Sequence, residues 1–417
     1  MSSARGTGGS EGAGTRELPD GRLRDAAAEA VQGHAAWLRG YGPTSWDQYD
    51  FWANPAGRRA KAVYYRHALL GLPLVAPYVL LDAAAPVSRR LFWHRQRFAI
   101  ADAHYAMGFF ALAKTDGSGW LRHGRAFIEA LAQERCPAEI EYCWGYPFDW
   151  ETCFGTWPAG TPLITSTPYG YEAFEAAYNA TGAAESLAIM ESIGRFAFTR
   201  IPAVEVAPGV KAAAYSPIDA RRVVNASAYR GFLLAAAGTR FAHPDWVAEA
   251  RAMLAFVLES QQGDGSWLYA MDGKDRFVDN FHTCFVLKNL VKAGRVLADP
   301  AIGEAIGRGY AFYKAFLLDA GGLPLPFARA QRPTLQRRDL YDYAEGINLA
   351  LLLRDDDPEA RSIAGHLVND LLADWVTTDG HFVTRQTVFG RNTEPYHRWA
   401  QAQTFHALTR FVLSADS

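Results

Sequence analysis

Residues 337–376 read RRDLYDYAEGINLALLLRDDDPEARSIAGHLVNDLLADWV. Apolar side chains recur at three- and four-residue spacing on both sides of Asp355-Asp356-Asp357-Pro358. That is the pattern of two helices, 337–354 and 358–376, joined by a turn that proline closes. A short turn between two helices of similar length makes an antiparallel hairpin. Working outward, the same periodicity predicts helices over 22–39, 58–70, 97–114, 119–134, 160–180, 183–200, 221–237, 243–262, 277–297, 301–318 and 394–414. Thr181-Gly182, Gly238 and Asp299-Pro300 supply stops between them. No segment carries a comparable strand pattern.

Helices that follow one another in pairs predict an all-α chain, an (α/α) toroid or barrel of about six helical hairpins. A helical solenoid would share the pattern, and the sequence has no strict repeat. Segments 143–162, 263–277 and 377–394 are rich in aromatics and turn steps such as Asp264-Gly265, Asp272-Gly273 and Asp379-Gly380. They are expected to form short β-hairpin loops at one mouth of the ring. Residues 1–20 are rich in Gly, Ser and charge and lack the apolar stretch of a signal peptide, which predicts a disordered tail before one domain over 21–417. A chain of this length buries roughly 75% of the surface it exposes when unfolded, enough for a core without staples.

A formal net charge of -2 and a pI near 6.6 provide no global field for nucleic acid, so none is expected as a partner. The four cysteines, Cys136, Cys143, Cys153 and Cys284, form no CxxC pair and sit among apolar or aromatic residues. Buried free thiols, no metal, no cofactor and a cytoplasmic location follow as expectations. The longest apolar run, 68–81, is too short to span a bilayer and holds Pro73 and Pro77. Because Arg89, Arg90, His94, Arg95 and Arg97 follow, two alternatives stand: buried core, or a peripheral contact with the inner membrane. Nothing in the sequence sets the oligomeric state.

Four clusters carry chemistry. In Cys143-Trp144-Gly145-Tyr146-Pro147-Phe148-Asp149-Trp150-Glu151, aromatic faces able to stack on sugar rings lie beside two carboxylates able to move protons. A buried plug is the structural alternative. In Asp279-Asn280-Phe281-His282-Thr283, the spacing of three puts Asp279 and His282 on one helical face as an acid/base pair, unless Asp279 only caps the helix. In Arg338-Asp339-Leu340-Tyr341-Asp342-Tyr343-Ala344-Glu345, Asp342 or Tyr341 shares a face with Glu345, with a solvated helix start as the alternative. In Glu394-Pro395-Tyr396-His397-Arg398-Trp399-Ala400-Gln401, cations at a helix start point to an anion or substrate site rather than to capping. All four lie at or just before helix starts, so parallel helices would gather them at one end. The candidate catalytic residues are therefore Asp149, Glu151, Asp279, His282, Tyr343, Glu345 and His397, and the candidate substrate-binding residues are Trp144, Tyr146, Arg385, Arg398 and Trp399.

The stretch Gln261-Gln262-Gly263-Asp264-Gly265-Ser266-Trp267 resembles the Q-x-x-x-G-x-W repeat of terpene cyclases and related α/α toroids, present here in one copy. The resemblance implies a scaffold role for Gln261, Gly265 and Trp267. The D-x-D-D motif of class II cyclases has no match, since Asp355-Asp356-Asp357 sits in a turn. Residues 90–415 resemble bacterial toroid proteins associated with polysaccharide biosynthesis. That likeness rests on Arg97-Phe98-Ala99-Ile100-Ala101-Asp102-Ala103-His104, Trp144-Gly145-Tyr146-Pro147-Phe148-Asp149-Trp150, Asp279-Asn280-Phe281-His282-Thr283 and Arg398-Trp399-Ala400-Gln401-Ala402. The architecture is similar to six-hairpin glycosidases, uronate lyases and the helical domain of glucuronyl epimerases.

The resemblance implies an enzyme acting on a saccharide or glycoconjugate. It would be a hydrolase working through paired carboxylates, or a uronate lyase or epimerase using His282, His397 or Tyr343 as base while Arg385 or Arg398 neutralises the acid. The alternatives are an isoprenoid-handling toroid, expected to have a cavity of Phe and Leu without central polar groups, and a non-catalytic glycan-binding or assembly protein.

Overall fold

The computed structural model describes residues 20–116 and 118–414. Most of the tail expected over 1–20 lies outside the described residues; Asp20 already begins α1 (Asp20–Tyr41). A short α2 (Asp50–Ala53), α3 (Pro55–Arg66), α4 (Ala68–Ala84) and a 3-10 turn (Pro86–Leu91) follow. Then come α5 (Ala99–Asp116), α6 (Ser118–Gln133), α7 (Thr167–Thr181), α8 (Ala184–Thr199), α9 (Val224–Arg240), α10 (Pro244–Glu259), α11 (Asn280–Leu297), α12 (Pro300–Phe316), α13 (Leu340–Leu353), α14 (Ala360–Asp374) and α15 (Ala402–Leu413).

From α5 onward the helices alternate between two shells. Helices α5, α7, α9, α11, α13 and α15 pack against one another in an inner ring, which α15 closes by contacting both α13 and α5. Helices α6, α8, α10, α12, α14 and α1 each back an inner partner. The composition explains the sorting. Every residue of α13 is buried, and nearly every residue of α9, because apolar side chains occupy most positions of both, small Ala and Gly sit where neighbours press in, and buried charges such as Glu345 and Arg230 meet Lys288 and Glu249. In contrast α10 buries only a stripe, Trp246, Ala250, Met253, Leu254, Phe256 and Val257, and shows water its other face. This is the predicted toroid of helical hairpins.

Local chemistry sets the turns. Gly182 ends α7 in the left-handed conformation at φ +69°, while Asp299 caps α12 through Ala301 N and Pro300 takes its first turn. The Q-x-x-x-G-x-W copy ties α10 to α12: Gln261 Nε2 donates to Gly265 O and Ala305 O, and Trp267 Nε1 donates to Val257 O. Close approach also matters at Gly170, where a Cβ would lie 2.2 Å from Trp144 Cζ3. Gly170→Ala is expected to cost about 1–3 kcal/mol through overpacking, read as a lowered midpoint of urea unfolding with unchanged slope.

Short antiparallel strands decorate the ring: β1 (Trp150–Thr152) with β2 (Gly155–Trp157), β3 (Ala203–Ala207) with β4 (Val210–Ala213), β5 (Val278–Asp279) with β6 (Phe327–Arg329), and β7 (Gln336–Asp339) with β8 (Arg385–Thr387) and β9 (Gly390–Asn392). Two of the expected hairpin segments hold β1–β2 and β8–β9; the third, 263–277, forms turns with one bridge between Ala270 and Val223.

Three differences from the sequence expectations have physical reasons. The helix expected over 160–180 starts at Thr167, because Pro162 is held extended by a bridge to Gly145. The helix expected over 394–414 opens with a π turn, His397–Gln401, whose wider ring re-aims Arg398 and Trp399 before α15 begins. Beyond residue 70, α4 continues as a helix through Pro73 and Pro77 despite the lost amide donors, and it is largely exposed rather than core. Cys136, Cys143 and Cys284 are buried free thiols, whereas Cys153, at the tip of the β1–β2 hairpin, is exposed.

Candidate functional site

The hairpin topology makes all six inner helices run the same way, so their first turns gather at one end of the ring. A cavity of about 850 Å³ opens there. Ile100 of α5, Tyr169 of α7, Val223 just before α9, Phe281 and His282 of α11, Tyr341 of α13, and Arg398 and Trp399 before α15 all line it. The amide ends of the helices therefore surround the cavity, which favours negative charge inside it.

His282 and Asp279 form its most directed polar feature. Asp279 is the N-cap of α11, accepting from His282 N at 3.3 Å, and its other oxygen lies 2.7 Å from His282 Nδ1. A carboxylate can only accept, so Nδ1 carries a proton, and in the neutral ring Nε2 is the nitrogen that holds the lone pair. Nε2 makes no hydrogen bond to any described residue, and the side chain is 20% exposed to the cavity. Tyr269, Phe277, Phe281 and Phe285 surround the ring at centroid distances of 4.4–5.8 Å and fix its plane. Cap and acid/base pair, read from the sequence as alternatives, coexist because Asp279 has two oxygens.

The walls are aromatic. Trp399 stacks on Tyr341 at 4.4 Å and 15°, with Phe281 edge-on to both. Tyr169 and Tyr229 share a 2.6 Å hydrogen bond in the lining, and burial raises both hydroxyls well above the ordinary phenol value, so they remain protonated donors. Arg398 is nearly buried; its pairing with Asp47 at 2.8 and 2.6 Å outweighs the cost of burial and keeps it charged, 4.6 Å above the Tyr146 ring.

Glu151 reaches the cavity from β1, its carboxylate accepting from Thr156 Oγ1 at 2.5 Å. Arg221 also lines the cavity, its charge met by Asp272 and Asp275, each at 2.7 Å. Lys61 of α3 differs from both arginines. It has no ion pair among the described residues and lies 5.0–5.8 Å from the ring centroids of Tyr49, Trp52 and Tyr65. Burial lowers its pKa to about 8, with the Glu151 charge pulling the other way. Among the described residues, no group of three or more His, Cys, Asp or Glu side chains is placed to hold a metal ion.

The cavity thus unites Glu151, Asp279, His282, Tyr146, Arg398 and Trp399 from the sequence-predicted set. The other six lie elsewhere. Arg385 lines an adjoining recess, paired with Asp339 and Asp82. Asp149 turns outward to an ion pair with Arg58 and accepts from Ala159 N at 2.9 Å. Trp144 is the buried plug, donating from Nε1 to Leu131 O and packing on Phe174. Tyr343 points to the outer shell, where its hydroxyl donates to Asp370 at 2.7 Å. Glu345 is wholly buried against the Lys288 ammonium. His397 is bonded to Tyr105 and Gly42, and burial lowers its pKa to about 3, so it is neutral and already spoken for.

Sequence reading missed Lys61, Tyr49, Tyr65, Tyr215 and Tyr269 in the lining. Asp342 backs the dyad: burial first, then the Asp339 and Asp279 charges, raise its carboxyl well above the ordinary range.

No family model matches the chain, and no curated protein is detectably similar to it in sequence. Solved structures do share its fold. An unsaturated glucuronyl hydrolase specific for heparin superimposes with a TM-score of 0.64 at 13% identity, covering 96% of this chain and 99% of its own. Cellobiose 2-epimerase from Bacillus thermoamylovorans gives 0.59 at 8% identity, over 77% of this chain and 89% of its own. The GH76 α-mannanase from Bacteroides thetaiotaomicron gives 0.54 at 12% identity, over 76% and 85%. The shared fold is the α/α toroid.

Proposed function

We propose that the chain is a saccharide-acting enzyme whose substrate carries a carboxylate, and whose reaction begins when His282 Nε2 removes the proton beside that carboxylate. The observation that carries this reading is the His282–Asp279 pair: an imidazole oriented by a buried carboxylate, with its free nitrogen on an aromatic-walled cavity. The C–H electron pair moves toward the substrate carboxylate, where Lys61 and the surrounding helix amide ends oppose the growing negative charge. Asp279 stabilises the imidazolium that results. The tyrosines, protonated by burial, donate to sugar hydroxyls, and the Trp399–Tyr341 stack offers a flat face to a pyranose ring. The hydrolase, the epimerase and the mannanase that share the fold are named for saccharides, which supports the substrate class.

An isoprenoid cavity would place apolar groups at its centre, whereas Lys61, Glu151, Arg221 and His282 line this one. Glu151 gives a second reading its foothold: as a second carboxylate facing the cavity, it would let Glu151 and Asp279 act as a glycosidase pair.

Oligosaccharides containing uronate, with neutral ones as controls, test the proposal by product analysis. Turnover of the uronate series alone is expected; turnover of neutral glycans alone contradicts it. Lys61 adds a sign. Its charge is held below pH 8 and lost as the pH rises through about 8, so KM for the acidic substrate should rise across that interval. Lys61→Met should raise KM roughly tenfold or more at pH 7 and abolish this alkaline rise.

A further inference from the structure

The first turns of α4 expose an apolar surface that nothing in the fold uses. Leu69 is 89% exposed, and Leu70, Leu72, Leu74, Val79 and Leu80 continue the surface along the helix. Val87, Leu91 and Phe92 extend it through the following 3-10 turn, with Leu91 85% exposed. A soluble surface rarely gathers so many large aliphatic side chains. No helix among the described residues is long and apolar enough to cross a membrane. Charge frames the patch. Of the eight Arg or Lys in residues 51–98, Arg58, Arg89, Arg90 and Arg97 pair with Asp149, Asp82, Glu394 and Asp102 and Lys61 faces the cavity, which leaves Arg59, Arg66 and Arg95 without an acidic partner among the described residues. Arg59, Arg66 and His67 are exposed before α4, and Arg90 and His94 after it.

We infer that α4 and the turn after it lie in the surface of an anionic bilayer, with the leucines among the acyl chains and the basic residues at the headgroups. Two features favour lipid over a protein partner. From residue 68 to 80 the only polar side chain is the half-buried Tyr78, so the face offers almost none of the hydrogen-bonding groups that a protein interface carries at every 100–200 Å² or so. The cationic flanks around an uncharged apolar helix match the layered chemistry of headgroup and acyl chain.

The placement bears on the cavity. Tyr64, Tyr65 and Ala68, at the corner between α3 and α4, line it, and Ala68 is exposed, so this corner is part of the rim. A docked α4 holds the rim at the membrane surface, where the saccharide presented to it is one carried on a lipid. This substrate half rests on the saccharide reading; the docking half does not.

The test is co-sedimentation of the full chain with extruded vesicles of phosphatidylcholine, with and without phosphatidylglycerol. Wild type should pellet with the anionic vesicles, less so as salt is raised, and a Leu69→Glu, Leu70→Glu, Leu91→Glu variant with unchanged circular dichroism should bind roughly tenfold more weakly or worse. Failure of wild type to pellet, or equal binding by the variant, overturns the inference. So does a wild-type dimer in sedimentation velocity that the variant dissolves while vesicle binding is absent, since the patch would then join two copies. Vesicle binding that persists alongside inactivity toward every uronate glycan leaves the docking standing and removes the uronate reading.

Discussion

Asp279→Asn is expected to lower kcat on an acidic oligosaccharide by about 10²–10⁴-fold while leaving the fold intact. Asparagine is as good an N-cap as aspartate, so α11 keeps its start and Tm should hardly move. What disappears is the charge facing Nδ1. A side-chain amide can offer Nδ1 either a donor or an acceptor, so the tautomer with its lone pair on Nε2 is no longer enforced, and the imidazolium loses its counter-charge. KM should change little, because substrate contacts come from the aromatic walls and Lys61. His282→Ala should give a loss of the same size, and the double variant should be no worse than either single one, since the two side chains act as a unit. Steady-state kinetics on the three variants checks this; full activity in Asp279→Asn would reduce the residue to a helix cap.

The second large effect falls on stability. Glu345 and Lys288 are nearly excluded from water and face each other within the inner ring. Glu345→Ala leaves the ammonium without its counter-ion in the core and is expected to cost about 3–5 kcal/mol in urea unfolding. Replacing both partners, Glu345→Leu with Lys288→Met, should recover most of that loss, because the cost comes from the stranded charge more than from the missing contact. Reaction chemistry separates the two variants further: the folded fraction of Glu345→Ala should keep the wild-type pH profile, as Glu345 is absent from the cavity lining.

The ring was legible because its helices announce themselves by period, and because turn chemistry such as Thr181-Gly182 and Asp299-Pro300 marks the hairpins. Region α4 was not, since a continuous apolar run with two prolines has no face to read, and sequence cannot say whether such a run meets core or solvent. The site divides along similar lines. Asp279 and His282 were readable from their spacing of three on a first turn. An inner helix, however, has one side toward the cavity and another toward the outer shell, and periodicity alone does not choose between them. Tyr341 reaches the cavity, while Tyr343, roughly 200° further round the helix, meets Asp370 of α14. Glu345 shares the side of Tyr341 but sits one turn deeper, where Lys288 takes it. His397 enters through a π turn and is drawn to Tyr105 and the end of α1. Lys61 comes from a helix outside the ring, so only its tertiary placement makes it a site residue.

The central claim is that His282 is a base toward a carbon-bound proton. Incubation of wild type and His282→Ala with a uronate-containing oligosaccharide in D2O, followed by NMR of the recovered sugar, tests it. Wild type should lose the signal of the proton beside the carboxylate, through exchange for deuterium or through elimination, and His282→Ala should retain it. New reducing ends formed by wild type with that proton fully retained would contradict the account and assign the cavity to hydrolysis.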